Sequence, residues 1–104
     1  IVVMIYITQL IYLKEGQAEI FDQFEALAIP LIPKYNGQLL LRIRPSGETI
    51  IESSIEIPYE VHLVKFAAES DFSNFMQDEE RKQFLHLKEQ SISASLLVRG
   101  VPLT

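Results

Sequence analysis

The chain opens on IVVMIYITQLIYL, a run rich in β-branched and aromatic residues that predicts a long strand. Its odd positions Val3, Ile5, Ile7, Ile11 and Leu13 are aliphatic, and its even positions Met4, Tyr6, Thr8, Leu10 and Tyr12 are mixed. A strand apolar on both sides has to be covered on both sides. Lys14-Glu15-Gly16 breaks the run, and the period then changes. Ile20, Phe21, Phe24, Leu27, Ala28, Leu31 and Ile32 recur at three- and four-residue spacing, which is an amphipathic helix. Pro30 and Pro33 should kink or fray its end, and Asn36-Gly37 supplies the left-handed residue that closes it.

Gln38–Arg44 is the next predicted strand. Side chains alternate along a strand, so Leu39, Leu41 and Ile43 are expected under the helices, with Arg42 and Arg44 facing away from them. Pro45-Ser46-Gly47 is a turn. ETIIESSIEI then alternates loosely, with Ile51, Ser53, Ile55 and Ile57 on one side, and reads as an extended arm or edge strand over 48–57. YEVHLVKF is a third main strand. Ser70 and Asp71 are placed to cap a short helix carrying Phe72, Phe75 and Met76. Asp78 starts a second helical piece with Phe84, Leu85 and Leu87 inward, and ISASLLVRG is a last strand stopped by Gly100 and Pro102.

Strand, helix, strand, strand, helix, strand is the ferredoxin-like βαββαβ arrangement: an α+β fold with a four-stranded antiparallel sheet and both helices on one face. The bare face calls for a cover. A second copy of the chain, helped by the isoleucine side of the 48–57 arm, would supply it and close a dimeric α/β barrel.

Composition narrows the function. At 104 residues with 48% hydrophobic content, residues 1–104 are expected to form one domain with its own core. The first apolar run is too short for a membrane helix and lacks a signal peptide's basic start, so no membrane partner is expected. The chain begins with Ile, which leaves open whether residues precede Met4 or have been lost. With no cysteine, disulfides, thiolate metal sites and thiol nucleophiles are excluded, and a cytoplasmic location fits. Nine basic against fourteen acidic residues give a net charge of −5, which disfavours nucleic acid as a partner.

The candidate chemistry is sparse. Arg42 and Arg44 can grip a carboxylate or phosphate, or they can pair with Glu60 or the acids of the arm as an ordinary edge-strand network. Glu60 and His62 fall two apart on one strand face, and a carboxylate beside a histidine holds it in one tautomer as a general base. With Tyr6 or Tyr12 added, Arg42, Arg44, Glu60 and His62 would make a polar pocket, with His62 as its catalytic member. A plain cross-strand ion pair is the alternative. His86 is expected on the outer side of the second helix, and Asp78-Glu79-Glu80-Arg81-Lys82 as a solvated helix start. No HxH or HxxxH spacing and no phosphate loop is present, so no metal and no cofactor are expected.

FEALAIPLIPKYNGQLLLR, PYEVHLVKF and SLLVRG together resemble the dimeric α+β barrel superfamily, and within it a group of small bacterial proteins classed as a domain of unknown function. The resemblance, with the first strand, spans most of residues 4–100 and implies the fold and the homodimer. The superfamily includes cofactor-independent monooxygenases, haem-degrading and haem-dependent enzymes, muconolactone-type isomerases and stress-induced proteins. Its haem degraders use a histidine on the second helix with a tryptophan and an asparagine nearby. This chain has no tryptophan, and only His86 stands where that histidine would be. The expectation is a homodimer holding a small anionic or aromatic molecule between sheet and helices. Two alternatives stand beside it: a cofactor-independent oxygenase or isomerase using His62 as base and Arg42 to stabilise an enolate, and a non-catalytic structural dimer.

Overall fold

The computed structural model describes residues 3–103, so Ile1 and Val2 of the predicted first strand lie outside the described residues. Strand β1 runs Ile5–Leu13, helix α1 Ala18–Ala28 and strand β2 Gly37–Ile43. Strand β3 is Glu60–Phe66, helices α2, α3 and α4 are Glu69–Met76, Glu79–Lys82 and Leu85–Ser91, and strand β4 is Ile92–Gly100. The four strands form one sheet in the order β2-β3-β1-β4, antiparallel throughout. This is the ferredoxin-like topology that the order of periodicities predicts.

The odd residues of β1 point at the helices. Ile5, Ile7 and Ile11 are buried there, opposite Phe66, Val64 and Glu60 of β3. Leu31, Ile32, Phe72 and Phe75 close over them, with the Phe72 and Phe75 rings 5.5 and 5.7 Å from that of Phe66. The even set lies on the other face, where Leu10 pairs with Val61 and Leu96, and Thr8 with Leu63 and Val98. Among the described residues nothing covers that face: Leu41, Ile43, Leu96 and Val98 are 44–54% exposed.

At four places the structure gives the local detail behind an expectation, bearing out two and revising two. The two prolines fray the end of the first helix as expected: α1 stops at Ala28 and the chain continues as a 3₁₀ turn over Ile29–Tyr35 that buries Leu31 and Ile32. Asn36, at φ 56°, is the residue that takes the left-handed cap. Gly37 serves close approach instead, since a Cβ there would sit 2.7 Å from both Ile32 Cγ2 and the Phe66 ring. Helix α2 starts at Glu69 after Ala68, so Ser70 and Asp71 lie inside it, and Asp71 accepts from Asn36 Nδ2 at 3.2 Å. The 48–57 arm forms neither a helix nor a strand. It is largely exposed and is held to the sheet by Tyr12 Oη, which donates to the Glu56 carbonyl at 2.8 Å.

The largest correction is in β2. Leu39 pairs with Val64 and Leu41 with Leu63, leaving Leu40 as an extra residue, a β-bulge. An extra residue reverses the alternation beyond it. Leu39 faces the helices as expected, but Leu41 and Ile43 turn to the open face. Arg42 and Arg44 turn to the helix side, where Arg42 lies opposite His62.

Candidate functional site

Strand β3 carries a polar half and an apolar half on its covered face. Glu60 and His62 are followed by Val64 and Phe66, all buried. The bulge brings both arginines onto the same face, and Glu60 becomes the hub. Its carboxylate accepts from Arg42 Nε at 2.8 Å through one oxygen and from Arg44 Nε at 2.8 Å through the other, while His62 Nε2 contacts the first. Arg44 also reaches Asp22 of α1 at 2.6 Å and lies over the Tyr59 ring at 4.9 Å. Burial alone would raise the Glu60 pKa, but the hydrogen bonds from Arg42, His62 and Arg44 outweigh it and hold the carboxyl below the usual range.

His62 is buried, and burial pushes its pKa down more strongly than Glu60 pulls it up. A neutral imidazole beside a carboxylate donates from the nitrogen facing it, so Nε2 carries the proton and Nδ1 keeps a lone pair. The structure thus brings Arg42, Arg44, Glu60 and His62 together. It does not bring in Tyr6 or Tyr12, whose even positions put them on the opposite face of the sheet.

Next to this network, between sheet and helices, is a cavity of about 220 Å³. Ile7, Val64, Phe66, Phe24, Phe72 and Phe75 supply apolar walls. Gln9, Glu25, His62, Arg81, Lys88 and Ser95 supply polar ones. Of the candidate site residues named from sequence, His62 alone lines this space. Arg42, Arg44 and Glu60 stand behind it, and His86 is exposed on α4.

Three charged residues of the cavity were missed. Glu25 sits four residues after Phe21 and three before Ala28, squarely on the buried stripe of α1, and that spacing was a usable signal. Its carboxyl has no hydrogen-bond partner among the described residues. Burial raises its pKa from 4.5 to about 7, against the attraction of Arg42, Arg81 and Lys88 and with a push from Glu60. The charged run 78–82 predicts a solvated helix start, yet Arg81 is buried, as is Asp78. Asp78 caps α3 by accepting from the Arg81 backbone N–H at 2.7 Å, and Tyr35 Oη and Lys34 Nζ bind the same carboxylate. Led by the Tyr35 bond, these contacts lower the Asp78 pKa to about 2. The cap fixes where the Arg81 side chain enters the cavity. Its Nη1 donates to the Met76 carbonyl at 3.3 Å, its guanidinium lies 5.2 Å from the Phe75 ring centre, and its buried Nε has no partner. Lys88, on α4, has its pKa lowered by burial.

The same fold recurs among solved structures. A protein of unknown function from Rhodopseudomonas palustris superposes with a TM-score of 0.82 at 16% identity, over 97% of this chain and 83% of that one. A Dabb family protein with a ferredoxin-like fold from Mesorhizobium loti gives 0.71 at 16% identity, over 97% and 98%. A dimeric protein of unknown function and ferredoxin-like fold from Bacteroides fragilis gives 0.70 at 10% identity, over 95% and 96%. The likeness is one of fold, and it agrees with the resemblance carried by the sequence. No protein-family model and no curated protein matches this chain.

Proposed function

We propose that the chain is a homodimer joined through the open sheet face, and that each protomer holds a small anionic or aromatic molecule in the cavity between sheet and helices. The observation that carries the binding role is the cavity itself: an apolar chamber with buried Glu25, His62 and Arg81 in its wall. A cavity of roughly 150 Å³ accepts benzene, so about 220 Å³ has room for one ring with a small substituent. The dimer is supported by the uncovered apolar face and by the description of the Bacteroides fragilis neighbour as dimeric. Among the described residues no helix is long and apolar enough to cross a membrane, and a chain without cysteine suits the cytoplasm.

The second proposal is catalytic, a cofactor-independent oxygenase or isomerase. The buried Glu60–His62 pair favours it, because a neutral imidazole oriented by a carboxylate and edging a cavity has the make-up of a general base. Arg42 serves this version as an indirect support through Glu60, since it does not line the cavity. Native mass spectrometry of the purified protein tests the main proposal. A dimer carrying extra mass supports it, whereas a monomer at every concentration overturns the dimer. An apo dimer that takes up no ring compound at millimolar concentration leaves the structural dimer as the account.

A further inference from the structure

Two cations line the cavity, Arg81 and Lys88, and neither forms an ion pair among the described residues. The other cations of this face are committed: Arg42 to Glu60, and Arg44 to Glu60 and Asp22. Arg81 is 7% exposed, and its guanidinium is only half used. Nη1 has the Met76 carbonyl, Nε is buried without a partner, and Nη2 has none among the described residues. Nε has almost no accessible surface, so Nη2 is the donor that an anion in the cavity can reach, by a charge-assisted hydrogen bond. Leaving the guanidinium without a counter-charge in a buried site costs stability, and an anion would offset part of the cost.

The rest of the wall sets the shape of that anion. The phenyl rings of Phe24, Phe66, Phe72 and Phe75 surround the apolar part of the space. Among the described residues Glu25 is the one acid lining the cavity, so above about pH 7, where it is ionised, it leaves one positive charge to balance across Arg81 and Lys88. A second negative charge on the ligand would be opposed by Glu25.

From this we infer that the cavity takes a ring-bearing monocarboxylate, its carboxylate on Nη2 of the Arg81 guanidinium with Lys88 close by, and its ring among the phenylalanines. The inference rests on the proposed binding role of the cavity and adds the chemical class and polarity of the ligand.

The test is an NMR titration of the ¹⁵N-labelled full chain with benzoate, and with benzamide as the uncharged isostere, at fixed ionic strength. Benzoate is expected to bind at least about tenfold more tightly than benzamide, shifting the amides of Gln9, Phe72, Phe75 and Arg81. Arg81→Met should remove that preference while leaving benzamide affinity unchanged. Equal affinities for the two probes, or an Arg81→Met variant that still prefers benzoate, would overturn the anion assignment while the cavity stands. Failure of both probes to shift any cavity amide at millimolar concentration would remove the binding role and the inference together. Should Arg81→Met lose its folded spectrum, Lys88→Met and Arg81→Lys carry the same comparison. Each is expected to narrow the benzoate preference, and no narrowing in either overturns it.

Discussion

Replacing Glu60 by glutamine tests the hub on which the buried polar network depends. The substitution keeps the shape of the side chain but removes its charge and turns one acceptor oxygen into a donor amide. One of the two arginine bonds, each 2.8 Å in the structure, then becomes a donor facing a donor. A hydrogen bond to a charged group contributes about 1.5–3 kcal/mol net. Breaking a fully buried pair costs about 3–5 kcal/mol, but here the arginine side chains are 34% and 48% exposed and can return to water. The expected loss is therefore about 2 kcal/mol, or roughly 10 °C in Tm for a chain of this length. Urea denaturation at pH 7 and fixed protomer concentration measures it. The native Glu60 pKa lies below the ordinary 4.5, so its contribution is present above the unfolded value and disappears as pH falls through the folded one. The gap between wild type and Glu60→Gln should accordingly shrink in acid. A loss under about 0.5 kcal/mol at pH 7, or a gap that widens on acidification, would refute the placement of Glu60 as an ionised hub.

Glu25 has the opposite sign. Its folded pKa of about 7 lies above the ordinary 4.5, so the native state holds an extra proton between those values and loses stability as pH rises through them. That interval corresponds to about 3 kcal/mol, so Glu25→Gln should stabilise the protein by up to that amount at pH 8 and by little at pH 4.5. Denaturation curves at the two pH values decide it, and equal effects at both would show the group is not buried as described. For the proposed dimer, Leu96→Asp puts a charge on the open face opposite Leu10, and sedimentation equilibrium should find monomer at concentrations where wild type is dimeric. Ile55→Asp on the exposed arm should weaken the same association, and an unchanged dissociation constant would remove the arm from the interface.

The order of elements was legible because each long segment has one unambiguous period: apolar on both faces in β1, three-and-four spacing in α1, alternation in β3. The meeting of Arg42, Glu60 and His62 was legible for the same reason, given that β2 and β3 pair. The direction they face was not. A bulge at Leu40 has no glycine or proline to announce it, and counting by twos from Leu39 then assigns every later side chain to the wrong side. The charged part of the cavity was hidden differently. Arg81 lies in a run of acids and bases that looks solvated, and only Asp78 folding back onto the Arg81 N–H and Tyr35 carries it inward. Arg81, Phe84 and Lys88 do share a helical face by their spacing of three and four, but a break between α3 and α4 makes that face discontinuous. Glu25 stands among the phenylalanines of α1, where its position points inward while its residue type, common on surfaces, points outward.

The bulge at Leu40 also makes the register of β2, rather than residue identity, the determinant of what each side of the strand presents. Were Leu40 taken into the ladder opposite Leu63, every later residue would shift by one, sending Arg42 and Arg44 to the surface proposed for the partner and bringing two aliphatic side chains beside Glu60, a buried acid then left without its cations. Deleting Leu40 would not do this, because Leu41 would still pair with Leu63 and Arg42 with His62. The same letters can therefore present a greasy contact surface or a charged one, and substitution counts would miss the difference; the place to look for divergence in binding is the register between β2 and β3 beyond Leu39.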